Sequence, residues 1–329
     1  MANNLRAGLV GLGMMGQHHA RVLATLPGVD FVAVSDPAGD INGFAQGRPV
    51  VKTVTELIEI GIDYAVVAVP TIYHLETCLE FANFGVHVLV EKPLTPDLPS
   101  SLTITKAFAK AGLIGAVGHI ERYNPALQEA KRRLEQLGGL YQIVTRRQGP
   151  FPARIADVGV VKDLATHDID LTSWITGQRY TSVSARTALR TGRQHEDLVI
   201  AVGTLEDGTL TNHLVNWLSP LKERVTILTG ELGAFVVDTL NADLTFFSNG
   251  TVTSQWSEMA QFRGVSEGDV IRYAISKHEP LRMEHESFRD ALLGKPTNIV
   301  TLEQGLTTIR VAEAILKSAE LNETESITY

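Results

Sequence analysis

At 329 residues the chain exceeds the commonest single-domain size, and its 44% hydrophobic and 20% charged content is ordinary for a globular protein. A formal net charge of −8 disfavours nonspecific attraction to nucleic acid or anionic membrane and points to a small-molecule partner. Cys78 is the only cysteine, which excludes an intrachain disulfide and a thiolate metal cluster, and no apolar run is long enough to span a membrane, so a cytoplasmic location with no metal is expected.

The N-terminus enters the apolar segment Leu5 to Val10 within a few residues, leaving no room for a secretory leader. Gly11, Gly13 and Gly16 follow in G-x-G-x-x-G spacing. Between a strand and a helix this spacing predicts a dinucleotide cradle. Gly11 permits the tight turn, Gly13 lets backbone approach a pyrophosphate, and Gly16 packs helix on sheet, with Met14 and Met15 at the helix start facing the phosphates. A second apolar run, Phe31 to Ser35, ends at Asp36. A carboxylate there accepts from both ribose hydroxyls and repels a 2′-phosphate, and Pro37 and Ala38 supply no adjacent cation. NAD is therefore expected over NADP. His18 and His19 are expected to pack or face solvent and carry no assigned role.

Apolar runs at Asp63 to Val69, His87 to Val90 and Leu113 to Val117 alternate with helical stretches at Thr71 to Phe84 and Leu98 to Ala111. This punctuation predicts a doubly wound parallel sheet over residues 1–121, a Rossmann domain whose ligands lie outside the carboxyl ends of its strands. Pro70, Thr71 and His74 beyond Val69 are placed beside the cofactor, as are Glu91 and Lys92 beyond Val90. Pro93 restricts Lys92 to an extended backbone. Its ammonium can then hydrogen-bond an alcohol or ketone oxygen as negative charge develops during hydride transfer. His119, Glu121 or Arg122, beyond Val117, can reach the same crevice.

A helix over Arg122 to Leu137 is expected to lead into a second domain, 122–329, where strands dominate. Glu206 to Thr209 and Ser248 to Thr251 carry Asp-Gly and Asn-Gly hairpin signals, implying a largely antiparallel sheet. Helical patterns at Glu284 to Leu293 and Leu302 to Leu321 cover a sheet face or return to the first domain, and Thr301 with Gln304 reads as a capping box. Asp163 and His167 stand four apart, on one face if the segment is helical. Histidine suits removal of a hydroxyl proton, and the aspartate can stabilise the imidazolium. A solvated polar pair and a mononuclear metal site are the alternative readings, the latter required by neither ligands nor chemistry. Arg146 and Arg147 on one strand should point to opposite faces, and Arg154 on a proline-rich loop could engage a diphosphate. Trp174, Trp217 and Trp256 are assigned to cores or interfaces.

The glycine fingerprint, Glu91-Lys92-Pro93 and the Asp163-x-x-x-His167 pair, in that order, resemble the Gfo/Idh/MocA oxidoreductase family over essentially the whole chain. The resemblance implies a C-terminal α/β domain built on an open, mainly antiparallel sheet that forms a homodimer or homotetramer. It also implies Lys92, Asp163 and His167 as the catalytic group. Two stretches, Gly118 to Pro125 and Gly149 to Arg154, are similar to the branch acting on nucleotide-linked amino sugars such as UDP-N-acetylglucosamine. That similarity gives His119, Arg122, Tyr123, Arg154, Asp163 and His167 as the substrate-binding set. The resulting expectation is NAD-dependent oxidation of a secondary hydroxyl on a nucleotide-linked amino sugar. The alternatives are an inositol or other free-polyol dehydrogenase and a noncatalytic NAD and sugar sensor.

Overall fold

Strands that are apolar on both faces can be buried only between two layers of helix, and six such strands open the chain. They are β1 (Leu5–Val10), β2 (Val29–Ser35), β3 (Val50–Val51), β4 (Tyr64–Val67), β5 (His87–Glu91) and β6 (Gly115–Gly118). The computed structural model, which describes residues 4–151, 158–250 and 268–329, pairs them all in parallel in the order β3-β2-β1-β4-β5-β6. Side chains alternate between two cores, with Val67, Val88 and Val90 in one and Leu9, Val66 and Leu89 in the other. The order reverses between β1 and β4, so the loop after β1 lies at the topological switch point.

Helices α1 (Met14–Leu23), α2 (Val54–Glu59), α3 (His74–Asn83) and α4 (Leu98–Ala111) follow strands β1, β3, β4 and β5. Local chemistry sets their ends. Thr53 and Glu56 form a reciprocal capping box on α2, and the Asp97 carboxylate accepts from the Ser100 amide at 2.8 Å to start α4. The helix expected over Arg122 to Leu137 is broken. A 3₁₀ turn, Ile120–Tyr123, precedes α5 (Pro125–Arg132), and another, Leu134–Leu137, follows it. Pro125 disfavours a helical Asn124, which instead caps α5 by accepting from the Ala126 amide at 3.0 Å.

Among the described residues the second sheet has nine strands: β7 (Leu140–Pro150), β8 (Tyr180–Ala188), β9 (Leu198–Leu205), β10 (Leu210–Asn216), β11 (Leu218–Gly230), β12 (Gly233–Asp238), β13 (Asp243–Ser248), β14 (Val270–Arg272) and a short ninth at the end of the chain. Every pair in it is antiparallel except β7 with β10. The Asp207-Gly208 turn closes the β9–β10 hairpin, with Gly208 at φ +88°. β13 pairs with β12 and β14, and the Asn249-Gly250 signal runs into residues 251–267, which lie outside the described chain. One face packs against α5 and α6 (Thr166–Thr176). On the other, Ile200, Val202 and Leu210 are 47%, 47% and 56% exposed.

The chain ends with α7 (Pro280–Leu292), α8 (Leu302–Leu321) and β15 (Glu325–Ser326), which joins the sheet beside β8. Thr301 and Gln304 form the expected reciprocal cap at the start of α8. By contacts, residues up to Ile120 and Glu279–Glu313 make one compact unit, while Gly159–His278 and Ala314–Tyr329 join the segment from Glu121 in the other. The chain therefore returns to its first unit near the end.

Candidate functional site

The glycine loop meets the demands of a dinucleotide cradle one residue at a time. Gly11 has φ +93°, and a Cβ on it would stand 2.6 Å from the Ala68 carbonyl oxygen. A Cβ on Gly16 would collide with the Gly11 carbonyl, so α1 can approach the loop only through glycine there. Gly13 differs, since a Cβ on it meets nothing within 4 Å. No described protein atom requires glycine at that position, whereas close approach by a ligand does. Met14 and Met15 open α1, Met14 with an exposed side chain.

Asp36 stands at the end of β2 with one carboxylate oxygen accepting from the Leu12 amide at 2.7 Å and the other from the Ala38 amide at 2.8 Å. The two bonds fix the carboxylate while leaving each oxygen a further acceptor position for a ribose hydroxyl. These residues fit NAD.

Beyond β4, Pro70 leads into a 3₁₀ turn, Thr71–Tyr73, and His74 opens α3. His74 is buried, with Nε2 3.0 Å from the Val69 carbonyl and Nδ1 3.1 Å from those of Pro93 and Leu94. Burial lowers its pKa against the pull of those carbonyls. Its imidazole thus lies between the end of β4 and the segment following Lys92, and in its neutral form donates to one of them.

Glu91 and Lys92 sit where β5 ends. The Glu91 carboxylate turns inward: Oε2 accepts from the Lys92 amide at 3.1 Å, and Oε1 lies 2.9 Å from His19 Nε2. His19 Nδ1 in turn lies 2.8 Å from His285 Nε2 on α7. Glu284 is buried beside this chain, and neither of its carboxyl oxygens has a hydrogen-bond partner among the described residues. Burial drives the Glu284 pKa well up, and the nearby Glu91 charge adds to it. Burial also pushes Glu91 upward, but its bond to His19 and the charges of His19 and Lys92 outweigh that, leaving it below the usual carboxyl value. Of this carboxyl pair, Glu91 is the one whose surroundings favour the charged form. His19, expected merely to pack or face solvent, is at the centre of the cluster.

In the second unit Asp163 lies in a π-turn, Val161–Ala165, and His167 in the first turn of α6. The continuous helix read from their spacing is thus replaced at Asp163 by a wider turn, a distortion that recurs at functional sites. Glu196 starts this turn, its carboxylate accepting from the Val161 amide at 3.0 Å and its carbonyl from the Val160 amide at 2.9 Å. Gly159 leaves room for it, because a Cβ there would collide with the Glu196 carboxylate.

Two buried ion pairs hold α6, one to the 3₁₀ turn before α5 and one to β7. Arg122 grips Asp170 through Nε at 2.7 Å and Nη2 at 2.5 Å, while Arg147 reaches Asp168 at 3.0 Å and Glu121 at 2.8 Å. Burial opposes the Arg147 charge, but Asp168 and Glu121 more than compensate and raise its pKa. Arg146 points to the other face, 2.9 Å from Glu223, as alternation requires. Tyr123 and His119 are buried, and Arg154 and Trp256 lie outside the described residues. Trp217 packs in the core edge-on to Phe151, and the Lys131 ammonium stands over the Trp174 ring.

Arg224 was not singled out by its sequence context. It lies opposite Arg147 in the β7–β11 register, hence on the same sheet face. One guanidinium nitrogen donates to the Gln148 and Glu223 carbonyls at 2.7 and 2.8 Å. Among the described residues no carboxylate lies within ion-pair distance of it, and burial and the neighbouring Arg147 charge lower its pKa against the opposing pull of Asp168, Glu121 and Asp163. No group of three or more His, Cys, Asp or Glu that could hold a metal occurs among the described residues, and no described helix is long and apolar enough to cross a membrane.

Residues 5–119 match the model of an oxidoreductase family with an NAD-binding Rossmann fold, and residues 153–325 match the family's C-terminal α/β domain. The chain is 28% identical over 320 residues to scyllo-inositol 2-dehydrogenase (NAD(+)) of Bacillus subtilis, covering 92% of this chain and 90% of that one. It is 27% identical over 292 residues to UDP-N-acetylglucosamine 3-dehydrogenase of Acidithiobacillus ferrooxidans, covering 88% and 89%. The solved structure of that organism's UDP-N-acetylglucosamine 3-dehydrogenase GnnA has a similar fold, with a TM-score of 0.84, 24% identity and coverage of 98% and 99%.

Proposed function

The chain belongs to the Gfo/Idh/MocA oxidoreductase family, and from that premise we propose that it uses NAD to oxidise a secondary hydroxyl of a nucleotide-linked amino sugar of the UDP-N-acetylglucosamine kind. The observation carrying the reaction class is Lys92 at the carboxyl end of β5, two strands from the glycine loop in one sheet. A cation stands at the edge where the dinucleotide is held.

NAD, when bound, supplies the hydride acceptor. The glycine loop and the α1 amides hold its pyrophosphate, and Asp36 takes the ribose hydroxyls. Pro70 and Thr71 border it. Lys92 donates a hydrogen bond to the reacting oxygen, favouring the charge that grows there. His167 takes the hydroxyl proton at a ring nitrogen, and Asp163, in the turn before it, stabilises the imidazolium. Lys92→Met and His167→Ala should each cut turnover by roughly 10²–10⁴-fold with NAD affinity preserved. Normal turnover in both variants would refute the assignment.

Arg224 supports a nucleotide-linked substrate, since its guanidinium keeps donors for an oxyanion after binding two carbonyls. Arg154 and His119 join it in this reading. Arg122 and Tyr123 are buried, and the Arg122 grip on Asp170 suits support of the substrate groups. The full-length similarity to scyllo-inositol 2-dehydrogenase favours a second reading, a free polyol as substrate. NADH formation across UDP-sugars, free sugars and inositols separates the two. Turnover of unlinked substrates alone rejects the nucleotide-sugar version, and tight NAD and sugar binding without hydride transfer would favour a sensor.

The exposed apolar face of the second sheet suits pairing with a second copy, giving a homodimer or homotetramer. Residence in the reducing cytoplasm agrees with the single, buried Cys78.

A further inference from the structure

Lys92 is held from both sides by buried histidines. His74 grips the two carbonyls that follow it, and Glu91 holds its amide from the other side. A buried carboxylate is costly unless other groups satisfy it, and among the described residues the hydrogen-bond partner Glu91 has, besides that amide, is His19. A carboxylate oxygen only accepts, so His19 Nε2 carries the proton of that bond. His19 Nδ1 then shares one proton with His285 Nε2, and this second contact fixes the imidazole plane. The three side chains come from α1, β5 and α7, elements whose own backbones are set by the packed core.

We infer that His19, braced by His285, is a positioning residue for Lys92: through Glu91 it sets the backbone from which the lysine reaches the reacting oxygen. The inference rests on the catalytic reading of Lys92. Glu91 is thereby oriented inward as a strut between histidine and lysine backbone. Glu284, lacking a partner, remains a neutral neighbour and leaves the one negative charge on the strut.

A displacement of about 1 Å at a reacting group can cost roughly 10²-fold in rate, and His19→Ala removes the strut's anchor without touching the glycine loop. The expected result is a fall in kcat of about 10–100-fold with NAD dissociation constant and sugar KM within twofold. His19→Gln, whose amide can donate to Glu91, should recover most of the loss. The Glu91→Ala/His19→Ala double variant should be no slower than Glu91→Ala alone, because both changes interrupt one path. Should His19→Ala fail to fold, His285→Ala loosens the far end of the chain and should give a smaller fall in kcat with the same unchanged binding.

Normal kcat in a folded His19→Ala protein would overturn the inference. So would a loss shared equally with NAD affinity, or multiplicative effects in the double variant. Lys92→Met separates this from failure of the catalytic reading: normal turnover there removes the lysine's role whatever His19 does. An inactive Lys92→Met beside a fully active His19→Ala removes only the positioning role.

Discussion

Each unit buries a charged cluster, and the two solve that problem with different chemistry. In the second, Arg122 and Arg147 face Asp170, Asp168 and Glu121, and a guanidinium stays charged at any pH the fold survives. In the first, Glu91, His19, His285 and Glu284 meet with imidazoles in place of guanidinium, so their charges depend on where protons sit. The guanidinium cluster fixes a helix to a sheet regardless of solution conditions, whereas the imidazole cluster keeps its charge pattern only while particular protons stay in place.

The comparison is tested most severely by Arg147→Met. It strands the buried Asp168 without its partner and should cost about 3–5 kcal/mol in urea unfolding. Adding Asp168→Leu should recover most of that loss. A change under about 1 kcal/mol in the single variant would mean the pair is solvated and the contrast between the clusters false.

Glu284→Gln should act less strongly and through pH. The folded carboxyl keeps its proton well above the usual range, while the unfolded one ionises above roughly pH 4.3. The unfolded state then holds fewer protons, so this group lowers stability as pH rises from there towards the folded pKa. The variant lacks that loss and should gain on the parent between pH 5 and pH 8 in paired denaturation curves, by less than full relief because its amide is equally buried. Parallel stability–pH curves would show that Glu284 is ionised in the fold.

Smallest in stability is a change on the open face of the second sheet. Ile200→Lys with Val202→Lys should alter subunit stability by about 0.5 kcal/mol or less per site. On the proposed pairing of two copies through this face, it should lower the mass measured by light scattering to that of a monomer. An unchanged mass would refute pairing through this face.

Much of the first unit was legible because its signals are local. The glycine spacing, Asp36 at the end of β2 and Lys92 at the end of β5 each follow a short, mainly apolar strand. Asp163 and His167 were readable as a neighbouring pair, but the wide turn beneath Asp163 was not, since it depends on Glu196 reaching back from beyond β8. His19 and His285 meet across 266 positions, and no spacing rule links them. A signal did exist on each helix separately. Gly16, His19, Ala20 and Leu23 form a buried stripe on α1, as do Leu281, Glu284, His285 and Phe288 on α7. A polar side chain in the middle of such a stripe demands a buried partner, and two stripes with the same flaw are candidates to complete each other. Arg224 offered no such mark, because its placement opposite Arg147 is a property of strand register.

The position of β7 bears on how the protein is made. Its neighbours are β10 and β11, and the chain passes from one to the other around the end of β7, where Asn216 pairs with Gln148 and Leu218 with Pro150. A ribosome delivers β7 about 60 residues before either neighbour, at roughly 5–20 residues per second, so for several seconds the strand destined for the middle of the sheet has two open edges. Unpaired edges template association with other chains. Nascent-chain crowding at high expression should therefore harm this protein through its second unit, and slower translation or a holdase chaperone should raise its soluble yield.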